Sequence, residues 1–356
     1  MTNPTMYRAV VATAPGKLEL VERPITEPGH GQVRIQVEAC GVCHSDSATV
    51  EGFAGVPFPR VPGHEVVGRI DAIGAGVQGW TLGQRVGVGF LAGEDGTCPS
   101  CRQGDPVTCQ NPVISGMTVD GGYAEVMIAE ARGLVRVPEA LDAVQAAPLL
   151  CAGLTTFNAL RNSGAQAGDV VAIHGLGGLG HLGVQFARKM GFHTVVIARG
   201  ASKAEMALSL GAHRYIDATE ENVAEVLRSM GGAKVVLGTA PTAQGMAETI
   251  PGLSARGQLV VVAVPGEPLS VNATDLIFGA RSVTGALTGT VIDNEQTLAF
   301  ASLQGIEAMV ETFPLEQAQE AYDRMMRADV RLRAVLAMGT PERLGALADR
   351  PVQQRP

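Results

Sequence analysis

The stretch Val170-Val171-Ala172-Ile173-His174-Gly175-Leu176-Gly177-Gly178-Leu179-Gly180 leads directly into His181-Leu182-Gly183-Val184-Gln185-Phe186-Ala187. A short β-branched run is followed by glycines spaced G-x-G-x-x-G, and then by an uncharged stretch with helical patterning over 181–190. In a chain with 45 glycines that spacing alone carries little. The strand before it and the helix after it give it meaning, because glycines there let the backbone turn tightly and approach a pyrophosphate seated on a helix N-terminus. Gly175, Gly177, Gly178, Leu179 and Gly180 are therefore expected to form a dinucleotide-binding loop. The competing reading is a plain strand-to-helix turn.

Working outward, a second strand is expected over 194–197. It ends at Ala198 and is followed by Arg199-Gly200-Ala201-Ser202-Lys203. A carboxylate at such a strand end binds the ribose hydroxyls of NAD. None stands in this stretch, whereas Arg199 and Lys203 can pair with a 2′-phosphate and Ser202 can donate to it, which favours NADP(H) over NAD(H). The alternative is that both cations are solvated loop charges and the site takes NAD(H). Strands over 235–237 and 259–264, with helical pattern over 243–254 between them, continue a βαβ rhythm and predict a parallel sheet. The first half reads differently: short apolar strands over 33–37, 66–70 and 86–88, separated by Gly and Pro clusters, predict a β-rich domain. After Gly289 come helices over 295–303 and 315–326 and a strand over 332–337.

At 356 residues the chain suggests about two domains, and 46% hydrophobic against 17% charged residues is enough to bury sizeable cores. A net charge of −8 argues against a nucleic-acid partner, which needs clustered Lys and Arg. There is no run of 18 apolar residues, and residues 1–10 lack the order of a signal peptide, so no membrane partner is expected and the cytoplasm is the default location. The six cysteines are Cys40, Cys43, Cys98, Cys101, Cys109 and Cys151. In a reducing compartment, clustered thiols point to metal or catalysis before disulfides. The tight trio at 98, 101 and 109 fits that reading, while Cys40 reads as a buried apolar neighbour. Cys40-x₂-Cys43 as a redox pair is rejected, because the helix start such a pair needs is absent.

Cys43-His44-Ser45-Asp46, Gly63-His64-Glu65 and Cys151-Ala152-Gly153 carry the strongest signal. The run Gly63-His64-Glu65-x₂-Gly68-x₅-Gly74-x₂-Val77 resembles the signature of zinc alcohol dehydrogenases of the medium-chain dehydrogenase/reductase superfamily, and the likeness extends over residues 7–338, towards the microbial and cinnamyl-type branch. The resemblance implies a β-rich GroES-like catalytic domain over 1–152 and 290–340, split around a Rossmann dinucleotide domain over 153–289, with a flexible tail over 341–356. It implies zinc held by Cys43, His64 and Cys151, with Glu65 able to swing onto the ion and Asp46 orienting His64. By the same resemblance Ser45 takes the alcohol proton, His44 lies near the pyrophosphate, Thr155 touches the nicotinamide, Arg333 contacts a cofactor phosphate and Phe90 lines the substrate pocket. The expected reaction is reversible hydride transfer between a small alcohol or aldehyde and NAD(P), with zinc polarising the oxygen. A homo-oligomer, tetramer or dimer, is the family habit.

The chain departs from its relatives twice. The histidine that often follows the first zinc cysteine by five positions is Ala48 here. Where relatives carry C-x₂-C-x₂-C-x₇-C, this chain has Asp95-x₂-Cys98-x₂-Cys101-x₇-Cys109. A carboxylate oxygen binds zinc at about 2.0–2.2 Å, so Asp95, Cys98, Cys101 and Cys109 are expected to hold a second, structural zinc more weakly than four thiolates do. The nearest rival reading is a polyol or sugar dehydrogenase of the same fold, which usually replaces the third ligand, here Cys151, with a carboxylate. A rival from another class is a non-catalytic cofactor-binding protein, which would need none of Cys43, Ser45, His64, Glu65 and Cys151.

Overall fold

The computed structural model describes residues 5–339, so the tail expected over 341–356 lies outside the described residues. The chain divides into two compact units. One comprises the chain up to Cys151, Thr290–Ala299 and the described residues from Ala308 on. The other comprises Ala152–Gly289 and Phe300–Glu307.

The second unit is built on six strands, all parallel, in the order Arg214–Asp217, His193–Ala198, Val170–His174, Ala233–Gly238, Leu253–Val261, Ser282–Gly285. In chain order that is 3-2-1-4-5-6, the doubly wound Rossmann arrangement, whose ligand crevice lies where the order reverses, beside the carboxyl end of Val170–His174. Val195, Ile197, Ile216, Val236 and Leu259 are buried in its core. The helix Gly180–Lys189 buries Leu182, Val184, Phe186 and Ala187 and ends on Arg188 and Lys189, cations that suit the negative end of its dipole.

The helix expected over 243–254 is shorter. Ala243–Thr249 gives way to a 3₁₀ turn at Ile250–Gly252, where Pro251 has no N–H to continue the ladder, and the next strand begins at Leu253. That strand stops at Val261, so Val264, expected within it, lies outside and is 90% exposed. The strands Arg214–Asp217 and Ser282–Gly285 add to those expected from the sequence, and both carry polar residues among their four. Residues 290–340 do not stay together: Phe300–Glu307 groups with the parallel sheet, where Phe300 packs 5.2 Å from Phe157 and 6.1 Å from Phe186 by ring centroids.

In the first unit the strand Gln32–Val42 is the hub, pairing with Arg333–Ala337, Val66–Ile73 and Val126–Glu130. Arg85–Val88 and Leu134–Arg136 extend the sheet on one side and Val310–Pro314 on the other. Val33, Ile35, Val66, Ile70, Val86 and Leu336 fill the core beneath. Strand register gathers the polar residues at one place. Val42 pairs with Ala334 and Cys40 with Val66, which brings Cys43, Glu65 and Arg333 to one end of the sheet. The hairpin of Met6–Ala14 with Lys17–Pro24 was not expected from the sequence.

Candidate metal centres and cofactor loop

Cys43 ends the hub strand's extension and caps a three-residue 3₁₀ turn, His44–Asp46. The turn folds Asp46 back so that its Oδ2 accepts the Cys43 backbone N–H at 2.9 Å. Asp46 and His64 are each 2% exposed, and Asp46 Oδ1 lies 2.8 Å from His64 Nδ1. The partner on Nδ1 leaves Nε2 as the ring atom that faces inward, and that buried nitrogen has no hydrogen-bond partner. Cys43 Sγ and Cys151 Sγ lie 4.0 Å apart. Asn294 Nδ2 donates to the carbonyl of Leu150 at 3.2 Å, fixing the backbone just ahead of Cys151. One donor atom from each of Cys43, His64, Glu65 and Cys151 lies within 4.8 Å of all the others. Two sulfurs, a neutral imidazole nitrogen and a carboxylate oxygen around one point suit a borderline-soft divalent cation, zinc above all. The unpartnered Nε2 is the observation that fits such an ion, since a buried nitrogen without a partner is otherwise costly.

The electrostatics agree. Contact with Cys151 holds the Cys43 thiol well below its ordinary range, and contact with Cys43 together with burial holds Cys151 well above its own. Burial pulls His64 down, but Asp46 and Cys43 overcome it and raise the ring well above its usual value. Glu65 is fully buried, and its Oε1 accepts a hydrogen bond from Arg333 Nη2. Burial pushes the Glu65 carboxyl up to about 8, against the opposing pull of Arg333. Its Oε2 has no partner, and it occupies space kept open by Gly41, where a Cβ would stand 1.8 Å from it.

Arg333 is expected on a cofactor phosphate. In the structure Nη2 is committed to Glu65, and Nε has no partner. His44 and Ser45 are exposed on the turn beside buried Asp46. The half-buried Phe90 ring stands edge-on to His64, with centroids 5.3 Å apart. Tyr123, which no sequence motif marks, joins the site: its fully buried hydroxyl donates to Asp46 Oδ2 at 2.9 Å.

The second cluster is also assembled, with donor atoms of Asp95, Cys98, Cys101 and Cys109 mutually within 4.8 Å. Cys98 caps the short helix Pro99–Arg102 and lies 3.9 Å, sulfur to sulfur, from Cys109. Cys109 Sγ accepts the backbone N–H groups of Asp95 at 3.5 Å and Asn111 at 3.4 Å. Asp95 Oδ1 accepts from the N–H groups of Thr97 and Cys98 at 2.8 and 2.9 Å, and Oδ2 accepts from Asn111 Nδ2 at 2.7 Å. The Cys98 N–H, the Asn111 amide and the Thr97 N–H hold the carboxyl well below the usual range, so Asp95 is an anion ready to meet a cation. Burial pushes the Cys101 thiol up to about 12.

In the parallel-sheet unit, Gly175 has φ +105°, and a Cβ there would meet Ala240 at 2.8 Å. A Cβ on Gly180 would stand 2.0 Å from the Gly175 carbonyl, whereas one on Gly177 would meet nothing within 4 Å. Two glycines thus serve the turn and the third leaves open space over the loop. Thr155 is buried in the helix Ala152–Arg161. Beyond Ala198, the residues Arg199, Ser202 and Lys203 are exposed. A carboxylate does stand nearby: Asp217 pairs in register with Ala198. Its Oδ1 is taken up by the Gly200 N–H at 2.9 Å and by Thr219. It lies on the neighbouring strand, 19 positions along the chain, so local sequence does not mark it.

Residues 29–139 match the family model described as the alcohol dehydrogenase GroES-like domain, and residues 178–303 the one described as zinc-binding dehydrogenase. The chain is 42% identical over 339 residues to alcohol dehydrogenase notN of Aspergillus sp. (strain MF297-2), covering 95% of this chain and 100% of that one. It is 40% identical to alcohol dehydrogenase patD of Penicillium expansum, covering 95% and 99%. Among solved structures, a cinnamyl alcohol dehydrogenase of Sorghum bicolor superposes with a TM-score of 0.85 at 30% identity, covering 98% and 100%.

Proposed function

The chain belongs to the zinc-type alcohol dehydrogenases of the medium-chain dehydrogenase/reductase superfamily, and from that membership we propose a zinc-dependent enzyme that prefers NADP(H) and interconverts a small alcohol and its aldehyde. The observation that carries the reading is the convergence of Cys43, His64, Glu65 and Cys151 donors on one point, with His64 Nε2 buried and unpartnered. When bound, zinc supplies the positive charge that polarises the substrate oxygen, and the nicotinamide supplies the two-electron acceptor or donor.

The remaining work falls to the chain's own residues. Cys43, His64 and Cys151 hold the ion, Asp46 keeps the proton on His64 Nδ1, and Glu65, anchored by Arg333, keeps one oxygen in reserve beside it. Ser45, exposed next to Asp46, is the group placed to accept the alcohol proton. The edge of Phe90 shapes an apolar wall next to His64. Gly175, Gly177, Gly178, Leu179 and Gly180 cradle the pyrophosphate, with His44 and Thr155 as further cofactor contacts. Arg199, Lys203 and Ser202 meet a 2′-phosphate, a reading supported by their exposure and by the engagement of Asp217 with Gly200 and Thr219. Asp95, Cys98, Cys101 and Cys109 hold a structural zinc. No helix among the described residues is long and apolar enough to cross a membrane, and the cytoplasm is the proposed location. The edge strand Ser282–Gly285 and the flanking Val264 and Phe278, 90% and 88% exposed, support a homo-oligomer, dimer or tetramer.

Metal analysis with dialysis tests the central point. Stripping the purified protein of metal should abolish turnover of primary alcohols with NADP⁺, and zinc should restore it. Full turnover by metal-free protein, or by Cys151→Ala that holds no metal at the first centre, would overturn the zinc reading.

A further inference from the structure

Tyr123 lies 77 residues from Asp46 in the chain, yet its hydroxyl meets Asp46 Oδ2 at 2.9 Å in a fully buried environment. Among the described residues Asp46 meets three donors. His64 Nδ1 lies 2.8 Å from Oδ1, and Oδ2 takes both the Cys43 backbone N–H at 2.9 Å and the Tyr123 hydroxyl. One carboxylate thus ties together two of the candidate metal ligands, and Tyr123 is the third side of its cage.

The chain is built to bring the phenol there. Gly121 N donates to the Val61 carbonyl, Gly122 N to Gly63 and Tyr123 N to Pro62, so this segment zips onto the residues leading into His64. The Tyr123 ring passes directly over Gly63: a Cβ on Gly63 would stand 2.5 Å from it. Gly63, with φ +103°, therefore serves two ends, the turn into His64 and the passage of the ring. Val10 N donates to the Tyr123 carbonyl at 2.7 Å, which locks the far side.

We propose that Tyr123 is a positioning residue for the metal ligand His64, acting through Asp46. A buried carboxylate with donors on both oxygens keeps its plane. Asp46 then holds the His64 proton on Nδ1 and aims the Nε2 lone pair at the ion. Without the phenol, Oδ2 retains only the Cys43 N–H, and the carboxylate is freer to turn away from the imidazole. The inference rests on the reading of His64 as a zinc ligand.

The test uses the full-length zinc-loaded enzyme and Tyr123→Phe, which keeps the ring and removes the donor. Zinc release from the first centre to a chelator should quicken about tenfold, the size expected for losing a partner behind a metal-bound histidine. The visible bands of the cobalt-exchanged enzyme should shift. Because the path runs through Asp46, Tyr123→Phe added to Asp46→Asn should change release no further than Asp46→Asn alone. A variant that melts lower but releases zinc at the wild-type rate with unshifted cobalt bands would overturn the inference, as would effects that add fully in the double variant. If Tyr123→Phe does not fold, replacing Tyr123 with 3,5-difluorotyrosine keeps the ring and strengthens the donor. Release should then slow, and an unchanged rate would overturn the inference. Wild-type protein without zinc at the first centre would sink the zinc reading itself, whereas zinc present and indifferent to Tyr123 sinks only the role of Tyr123.

Discussion

Arg333 Nη2 donates to Glu65 Oε1 across 268 residues of chain, an ion pair in which the arginine side chain is 4% exposed and the glutamate is not exposed at all. The pair exists because the strand Arg333–Ala337 lies antiparallel to the end of Gln32–Val42, which in turn pairs with the strand that follows Glu65. Removing Arg333 strips Glu65 of its donor, and a carboxyl already pushed up to about 8 by burial then takes a proton and stands as a buried acid without a partner, which costs on the order of 1–3 kcal/mol. Arg333→Met should therefore destabilise the protein by about that much in chemical denaturation at pH 7. Adding Glu65→Gln, a neutral side chain of the same shape, should change the stability of Arg333→Met little at that pH. A double variant far more stable than Arg333→Met alone would contradict the account, since it would mean that a charge had been stranded.

Asp95 has two roles to separate, capping the loop and binding metal. Asp95→Asn keeps an oxygen for the Thr97 and Cys98 N–H groups but removes the anionic ligand. Zinc content should fall from two per chain toward one in Asp95→Asn and in Asp95→Ala. Asp95→Cys should retain two and resist chelator better than wild type, because thiolate is the softer ligand. Two tightly held zincs in Asp95→Asn would assign Asp95 to the loop alone.

Cofactor choice turns on Arg199. A charge-assisted hydrogen bond is worth about 1.5–3 kcal/mol, so Arg199→Asp should weaken NADPH about ten- to a hundredfold and leave NADH little changed. Fluorescence titration with both cofactors measures it. Equal losses, or a wild-type preference for NADH, would contradict the assignment.

His174 makes the cofactor unit acid-sensitive. Burial lowers its pKa from 6.5 to about 4, with Glu248 pulling weakly the other way. The neutral ring is the form the fold prefers. Its contribution is complete above the unfolded value near 6.5 and is lost as pH falls through that value toward 4. Between pH 7 and pH 5 the loss is about 2 kcal/mol. Denaturation of wild type and His174→Gln at both pH values should show wild type losing more stability by about that amount. Equal losses in the two proteins would show that His174 does not titrate in this way.

Several features were legible without coordinates because the chemistry sits within a few residues of itself. The strand, glycines and helix around Gly175 to Gly180 form one local unit, and Asp95, Cys98, Cys101 and Cys109 close one small loop. The signature around His64 carries its own spacing. Local contacts need no knowledge of strand register, so their pattern survives in the one-dimensional string. Other relationships were decided only in three dimensions: Arg333 on Glu65, Tyr123 on Asp46, Asn111 on Asp95, Asp217 beside Ala198. Three of these depend on how distant segments pair in a sheet or along a loop, where a slip of one residue would turn each side chain to the opposite face. Asn111 lies nearer, but its amide reaches Asp95 only because the loop between them closes on itself. Nothing in the residues flanking Tyr123 or Arg333 marks them as part of a metal centre. The hub strand Gln32–Val42 brings Cys43, Glu65 and Arg333 to the same end of one sheet, and the pairing of residues 121–123 with residues 61–63 brings Tyr123 to Asp46.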